Sequence, residues 1–262
     1  MTATRVVAKT LLGAADLILP RLRGPRILIY HQVGSERAHE INVSVEAFRW
    51  QLGWMQSHGE IVSLEDAVKR RGEADSHRLF VVNFDDGYRD VFLNAFPLMA
   101  QQRIPFTLYL TSGPIDTPDR FQTWPGNPLT WDQVCSMIDS GLVTVGAHTH
   151  THPDMRQMAN EAVVDELDRS NDLIAKRTGV VPEHFTYPKG WWAAEAHDAV
   201  TARYLTATLG GGRSIDELSD LHMLNRVPLQ RSDASRLFSQ KLRGGGRTEE
   251  RLRRRLHRYQ GP

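Results

Sequence analysis

Cysteine is almost missing from this chain: Cys135 is the one thiol among 262 residues. No internal disulfide can form, so nothing signals oxidative folding. Long hydrophobic runs are missing as well. Near the start, Val6–Val7–Ala8 and Leu11–Leu12–Gly13–Ala14–Ala15 are apolar, but Lys9 and Asp16 interrupt them. The stretch is too short to span a bilayer, and no clear signal-peptide cleavage site precedes Leu17. It reads either as an ordinary packing helix or as an amphipathic segment on a membrane surface. The expected location is cytoplasmic, with or without membrane association. Repeats and low-complexity tracts are absent before Gly244, Gly245 and Gly246. With 40% hydrophobic and 24% charged residues, wholesale disorder and a fibrous repeat are excluded.

Net charge is small but unevenly placed. The chain carries +1 overall, with +4 in residues 1–26 and +6 in residues 241–262, which leaves −9 for the stretch between. An acidic body with basic ends suggests an N-terminal segment at 1–25, a folded domain at 26–240 and a basic tail at 241–262. Basic ends can meet phosphate-bearing surfaces such as membrane headgroups. Arg251, Arg253, Arg254 and Arg255 accompany no recognised nucleic-acid fold, so nucleic acid is not an expected partner. Cys135 lies with Trp131, Val134 and Ile138 on a helical apolar stripe, which predicts a buried structural thiol.

Short apolar runs alternate with helical patterns. Strands are expected at 26–30, 79–84, 106–111, 142–147, 184–187, 204–208 and 225–229. Helices are expected at 45–57, 64–71, 88–102, 130–140, 160–178 and 193–203. Ser63 and Thr130 each stand three residues before an acid or amide side chain, the spacing of an N-terminal capping box. Strands apolar on both faces and separated by helices indicate βα units around a parallel sheet. About seven strands suit a (β/α) barrel, distorted and either complete or incomplete, whose chemistry gathers at the C-terminal strand ends.

Two strand ends carry reactive side chains. The run 79–84 ends in Asp85–Asp86–Gly87. Adjacent carboxylates on a strand point to opposite faces, but a sharp turn at Gly87 can bring both to one mouth; an acidic turn is the plainer reading. The run 142–147 ends in His148–Thr149–His150–Thr151–His152–Pro153. A spacing of four sets His148 and His152 on one side of a turn, able to grip one cation, with His150 directed elsewhere. Two imidazoles and one carboxylate leave positions open for water and substrate, a hydrolytic arrangement in which a metal acidifies water and polarises a carbonyl. The second carboxylate can then take the water's proton. Residue types alone do not say which aspartate plays which part.

Here a resemblance becomes specific. Asp85–Asp86–Gly87 after Asn83–Phe84 resembles the first signature of the polysaccharide deacetylase family (carbohydrate esterase family four), and 146–153 is similar to the second. Further likenesses are Ile29–Tyr30–His31, Leu129–Thr130–Trp131 and Leu224–Asn225–Arg226–Val227–Pro228, so the resemblance spans roughly 26–232. It implies a distorted barrel and metal-dependent removal of acetyl groups from N-acetylated sugars. Asp85 would be the general base. Asp86, His148 and His152 would hold a divalent metal, usually Zn2+, with Co2+, Ni2+ or Mn2+ as alternatives.

The third signature departs from the pattern. At 186–190 the chain reads Thr186–Tyr187–Pro188–Lys189–Gly190, with Thr186 where an arginine would orient the base and Lys189 where an aromatic would line the groove. Tyr187 and Pro188 are candidate substrate-wall residues, as are Trp191 and Trp192 just beyond. Trp131 reads as core, while Trp124–Pro125–Gly126–Asn127 forms a loop that could cover the site. The general acid has two candidates, His31 after the first strand and His222 near the last. The expected substrate is an N-acetylated sugar, polysaccharide or glycolipid intermediate. A metal-dependent hydrolase of a non-sugar amide and a decayed carbohydrate-binding protein are the alternatives.

Overall fold

The computed structural model describes residues 23–36, 39–121, 124, 126–233, 235–244 and 248. The segment expected at 1–25 lies almost entirely outside them, as does most of the basic tail. Seven parallel strands form a closed barrel: β1 (Arg26–Tyr30), β5 (Leu79–Phe84), β6 (Phe106–Leu110), β7 (Val143–Ala147), β8 (His184–Thr186), β9 (Thr206–Gly210) and β10 (Leu224–Pro228). Closure comes from β1, which pairs with β5 on one side and β10 on the other. β4 (Glu60–Ile61) adds to the beginning of β5, and the short pair β2 (Gln32–Val33) and β3 (Asn42–Val43) stands apart.

Alternation along these strands separates two populations, because successive side chains leave opposite faces. Leu28, Tyr30, Val82, Phe84, Leu108, Leu110, Val145, Phe185 and Leu209 pack in the larger apolar cluster with helix residues such as Phe48, Leu52, Val134 and Leu167. Ile27, Val81, Tyr109 and Leu224 join a second cluster with Leu64 and Ile215. The same inner face also carries buried polar residues, Asn83, Thr107, Thr186, Thr208 and Arg226. The mouth of the barrel lies where β5, β7, β8 and β10 all finish.

The expected helices appear in order, and α4 and α8 come in addition to them: α1 (Val45–His58), α2 (Leu64–Lys69), α3 (Phe96–Gln101), α4 (Ser112–Asp116), α5 (Trp131–Asp139), α6 (Asn160–Thr178), α7 (Ala194–Thr201) and α8 (Ser235–Leu242). α5 starts in a complete capping box between Thr130 and Gln133, and α6 ends on Gly179 in the left-handed conformation (φ 75°). At Ser63 the side chain caps Asp66 N–H. The helix expected over 88–102 instead begins as a π-helical turn, Val91–Ala95, before α3. β9 starts two residues later than expected, since Tyr204 packs in the large cluster ahead of the strand. α8 continues to Leu242 with Lys241 and Leu242 buried, so the folded body passes the boundary at 240. Cys135 is half-buried, not buried as expected: it lies towards the edge of the α5 stripe, where its thiol faces the Arg177 carbonyl at 3.6 Å. No helix among the described residues is long and apolar enough to cross a membrane.

Candidate active site

Asp85 extends β5, with its N–H donating to the Tyr30 carbonyl at 3.0 Å. Simple alternation would then turn Asp86 away. Instead Asp86 and Gly87 both take left-handed backbone, φ 74° and 80°, and the two carboxylates reach the same rim. A left-handed turn is cheap for glycine and tolerable for aspartate. The histidine segment bends the same way, with Thr149 at φ 63° and His152 at φ 60°. Such residues cost on the order of 1–3 kcal/mol each and persist only where surrounding contacts over-determine them.

Those contacts are present. His148 N–H continues the sheet to the Leu110 carbonyl (2.9 Å), and Thr149 Oγ1 accepts from His152 N–H (3.0 Å). His148 Nδ1 lies 2.7 Å from the Thr186 carbonyl oxygen. A carbonyl only accepts, so Nδ1 carries the proton and the Nε2 lone pair faces the mouth. That Nε2 is 3.3 Å from Asp86 Oδ1, and His152 Nε2 is 3.6 Å from the same oxygen. Asp86 Oδ1 is buried with no hydrogen-bond partner. Burial pushes the Asp86 carboxyl up, yet His148 and His152 beside it hold it well below the usual carboxylate range. Burial also lowers His152, to about 4, leaving its imidazole neutral. An unprotonated ring nitrogen directed at an ionised oxygen is repulsive unless a cation lies between them. The Asp86, His148 and His152 ligand atoms lie within 4.8 Å of one another, so this donor set fits a divalent metal.

Asp85 has a different partner. Arg226, fully buried on β10, grips it with two parallel bonds, Nη1 to Oδ1 and Nη2 to Oδ2, both 2.7 Å. Nη2 also donates to Thr186 Oγ1 at 2.6 Å. Burial opposes ionisation of Asp85, but the guanidinium outweighs it and keeps the carboxyl below its ordinary range. Thr186 therefore serves both halves of the site: its carbonyl sets the His148 tautomer and its hydroxyl steadies Arg226. The arginine missing from β8 is supplied by β10. Sequence reasoning quoted Arg226 only as part of a likeness. One signal pointed to more, because a charge in the middle of a strand buried on both faces requires a charged partner.

The other expected residues divide. His31 follows β1 at the same rim, near both Asp85 and Asp86, and its Nδ1 is buried without a partner. His222 is not brought to the site. It precedes β10, at the opposite end of the barrel, where Nε2 lies 2.8 Å from the Tyr204 carbonyl oxygen and its own N–H donates to Asp220. Nearness in sequence to β10 misled, because the strand's length separates its two ends. Tyr187 and Pro188 are buried at the end of β8, packed as wall rather than displayed. Trp191 is half-buried beneath the Arg156 guanidinium (3.9 Å from its ring centroid), and Trp192 packs against the large cluster. Lys189, at φ 61°, lies 3.7 Å from Asp154, which also binds Arg156. Trp124, in the loop expected over the site, has its ring 5.8 Å from that of His152. Trp131 is partly buried and donates its indole N–H to Asp116.

A barrel with an Asp–His–His group able to hold a metal and a separate, arginine-held carboxylate at its mouth is an arrangement of hydrolase type. Residues 72–207 match the polysaccharide deacetylase family, and the chain belongs to that family. Asp85, Asp86, His148 and His152 fall inside the matched span; His31 and Arg226 fall outside it. Relatives include poly-beta-1,6-N-acetyl-D-glucosamine N-deacetylases from Staphylococcus epidermidis (25% identical over 60% of this chain and 53% of that one) and Escherichia coli K12 (29% over 46% and 20%). The chain thus spans about half the length of the first relative and a fifth of the second. Among solved structures, a Streptococcus pyogenes deacetylase in complex with acetate superposes over 85% of this chain and 98% of its own (TM-score 0.71, 19% identity). IcaB from Ammonifex degensii superposes over 84% and 97% (TM-score 0.70, 20% identity). These likenesses establish the fold.

Proposed function

We propose that the chain is a metal-dependent N-deacetylase that cleaves the acetamide of an N-acetylated sugar, with a β-1,6-linked N-acetylglucosamine polymer as the substrate suggested by the relatives' names. The observation that carries this reading is the placement of an ionised, arginine-held Asp85 one residue from a metal group whose Asp86 oxygen is otherwise unsatisfied. Asp86, His148 and His152 would hold the metal, most simply Zn2+, which when bound supplies a Lewis acid for the acetyl carbonyl and for water. Asp85 is the general base: Arg226 occupies one acceptor site on each of its oxygens and leaves another for the proton of the attacking water. His31, on the same rim, donates a proton to the nitrogen as the C–N bond breaks, so acetate and a free amine leave. Trp124 offers an apolar face beside His152 on which a sugar ring can lie.

The test combines bound-metal analysis with acetate release from N-acetylated glucosamine oligosaccharides, with and without chelator. Asp85→Asn and His31→Asn should keep their metal and lose acetate release, whereas His148→Ala should lose both. A protein that binds no metal, and a His148→Ala variant indistinguishable from it, would sink the reading. Bound metal without acetate from any sugar would move the substrate to another class of amide.

A further inference from the structure

Glu166 takes no part in the chemistry proposed above, yet it is a carboxylate buried on α6 (7% exposed) directly beneath the histidine segment. Its Oε2 accepts two consecutive backbone N–H groups, from His150 at 2.9 Å and from Thr151 at 2.8 Å, and its Oε1 accepts the Thr151 hydroxyl at 2.7 Å. One turn along the same helix face, Ser170 Oγ donates to the Thr149 carbonyl at 3.2 Å. Across the segment, Ser112 Oγ meets His150 Nδ1 at 2.9 Å, and Gly113 N–H donates to the His150 carbonyl at 2.8 Å. The stretch pinned in this way is bounded by Thr149 and His152, the two residues in left-handed backbone. Threonine has little tendency to adopt that conformation unaided.

We infer that Glu166 is a positioning residue for the metal site: it seats the 149–152 bend and thereby fixes where His152 Nε2 points. The inference rests on the metal reading but not on any substrate. Groups that orient ligands without touching the metal typically contribute 10–100-fold to metal affinity, and here the orientation acts through backbone N–H groups instead of a ligand's second nitrogen. His150, which leaves the metal cluster, then has a part of its own: its N–H and its ring are two of the anchor points.

The experiment is a Zn2+ titration of metal-stripped parent, Glu166→Ala and Glu166→Gln against a chromophoric chelator, with visible spectra of the Co2+-loaded proteins alongside. Glu166→Ala should bind Zn2+ roughly 10–100-fold more weakly and show an altered Co2+ spectrum. Glu166→Gln should recover to within about threefold and restore the parent spectrum, because an amide oxygen can accept both N–H groups while its NH2 donates to Thr151 Oγ1. If Glu166→Ala does not fold, Glu166→Asp takes its place, with the charge kept and the carboxylate set back by one methylene, and the same weakening is expected. Zn2+ affinity equal to the parent's in the folded Ala or Asp variant overturns the role of Glu166. A parent without Zn2+ affinity overturns the metal reading and this inference together, whereas strong Zn2+ binding without acetate release overturns only the substrate assignment.

Discussion

The pairing of Asp85 with Arg226 can be weighed directly. Both side chains are out of solvent, Arg226 at 0% and Asp85 at 3% exposure, and two bonds of 2.7 Å join them. Such a pair adds little net stability relative to apolar residues of similar size, because desolvation offsets the attraction. Removing one partner is another matter, since it leaves a buried charge alone at a cost of about 3–5 kcal/mol. Arg226→Met should therefore lower the melting temperature of the metal-stripped protein by roughly 10 °C, at about 2–4 °C per kcal/mol for a domain of this size. Asp85→Leu should destabilise by a similar amount, stranding the guanidinium. The double variant should be no less stable than the weaker single one, a coupling of about 3 kcal/mol measured as a double-mutant cycle by urea unfolding. All three should lose acetate release while Zn2+ still binds, since Asp86, His148 and His152 are untouched. An Arg226→Met protein within about 1 kcal/mol of the parent, or strictly additive single variants, would refute the argument that the pair is buried and mutually dependent.

Two further outcomes can be checked by thermal melts alone. Gly146 sits in the histidine strand where an added Cβ would lie 2.4 Å from the Tyr109 ring and 3.0 Å from the His184 carbonyl oxygen; Gly146→Ala should cost about 1–3 kcal/mol by overpacking, and an unchanged melt would mean that Tyr109 yields. Burial raises Asp90 to about 6 while its Oδ1 accepts the Val33 N–H. A raised folded value means that stability is present in full below the unfolded value near 4 and falls as pH rises through 6. Asp90→Asn keeps the acceptor without the charge, so it should stabilise by on the order of 2 kcal/mol at pH 8 and by nearly nothing at pH 4; a gap independent of pH would count against it.

Much of the fold was legible because the strands are buried on both faces, and 26–30 and 79–84 match the observed β1 and β5 residue for residue. The aspartate pair and the histidine segment were legible too, since each lies within a few residues of a strand end. What stayed hidden depended on contacts between distant parts of the chain. Asp85 and Arg226 stand 141 positions apart, and only barrel closure through β1 makes them neighbours. Glu166 lay unremarked in a helix of ordinary charge pattern, because its partners are backbone groups, which leave no mark in composition. The π-helical turn at Val91–Ala95 likewise has no periodicity to betray it. His222 shows the converse error, a residue near the right strand but at its wrong end.

The barrel's closing strand also carries a consequence for the order in which the protein comes into being. Synthesis from the N-terminus delivers residues 86, 148 and 152 well before residue 226. A growing chain thus holds Asp86, His148 and His152 while Asp85 still lacks the guanidinium that pairs with it. On the mechanism proposed above, a nick that releases β10 would strip Asp85 of its guanidinium while leaving Asp86, His148 and His152 together.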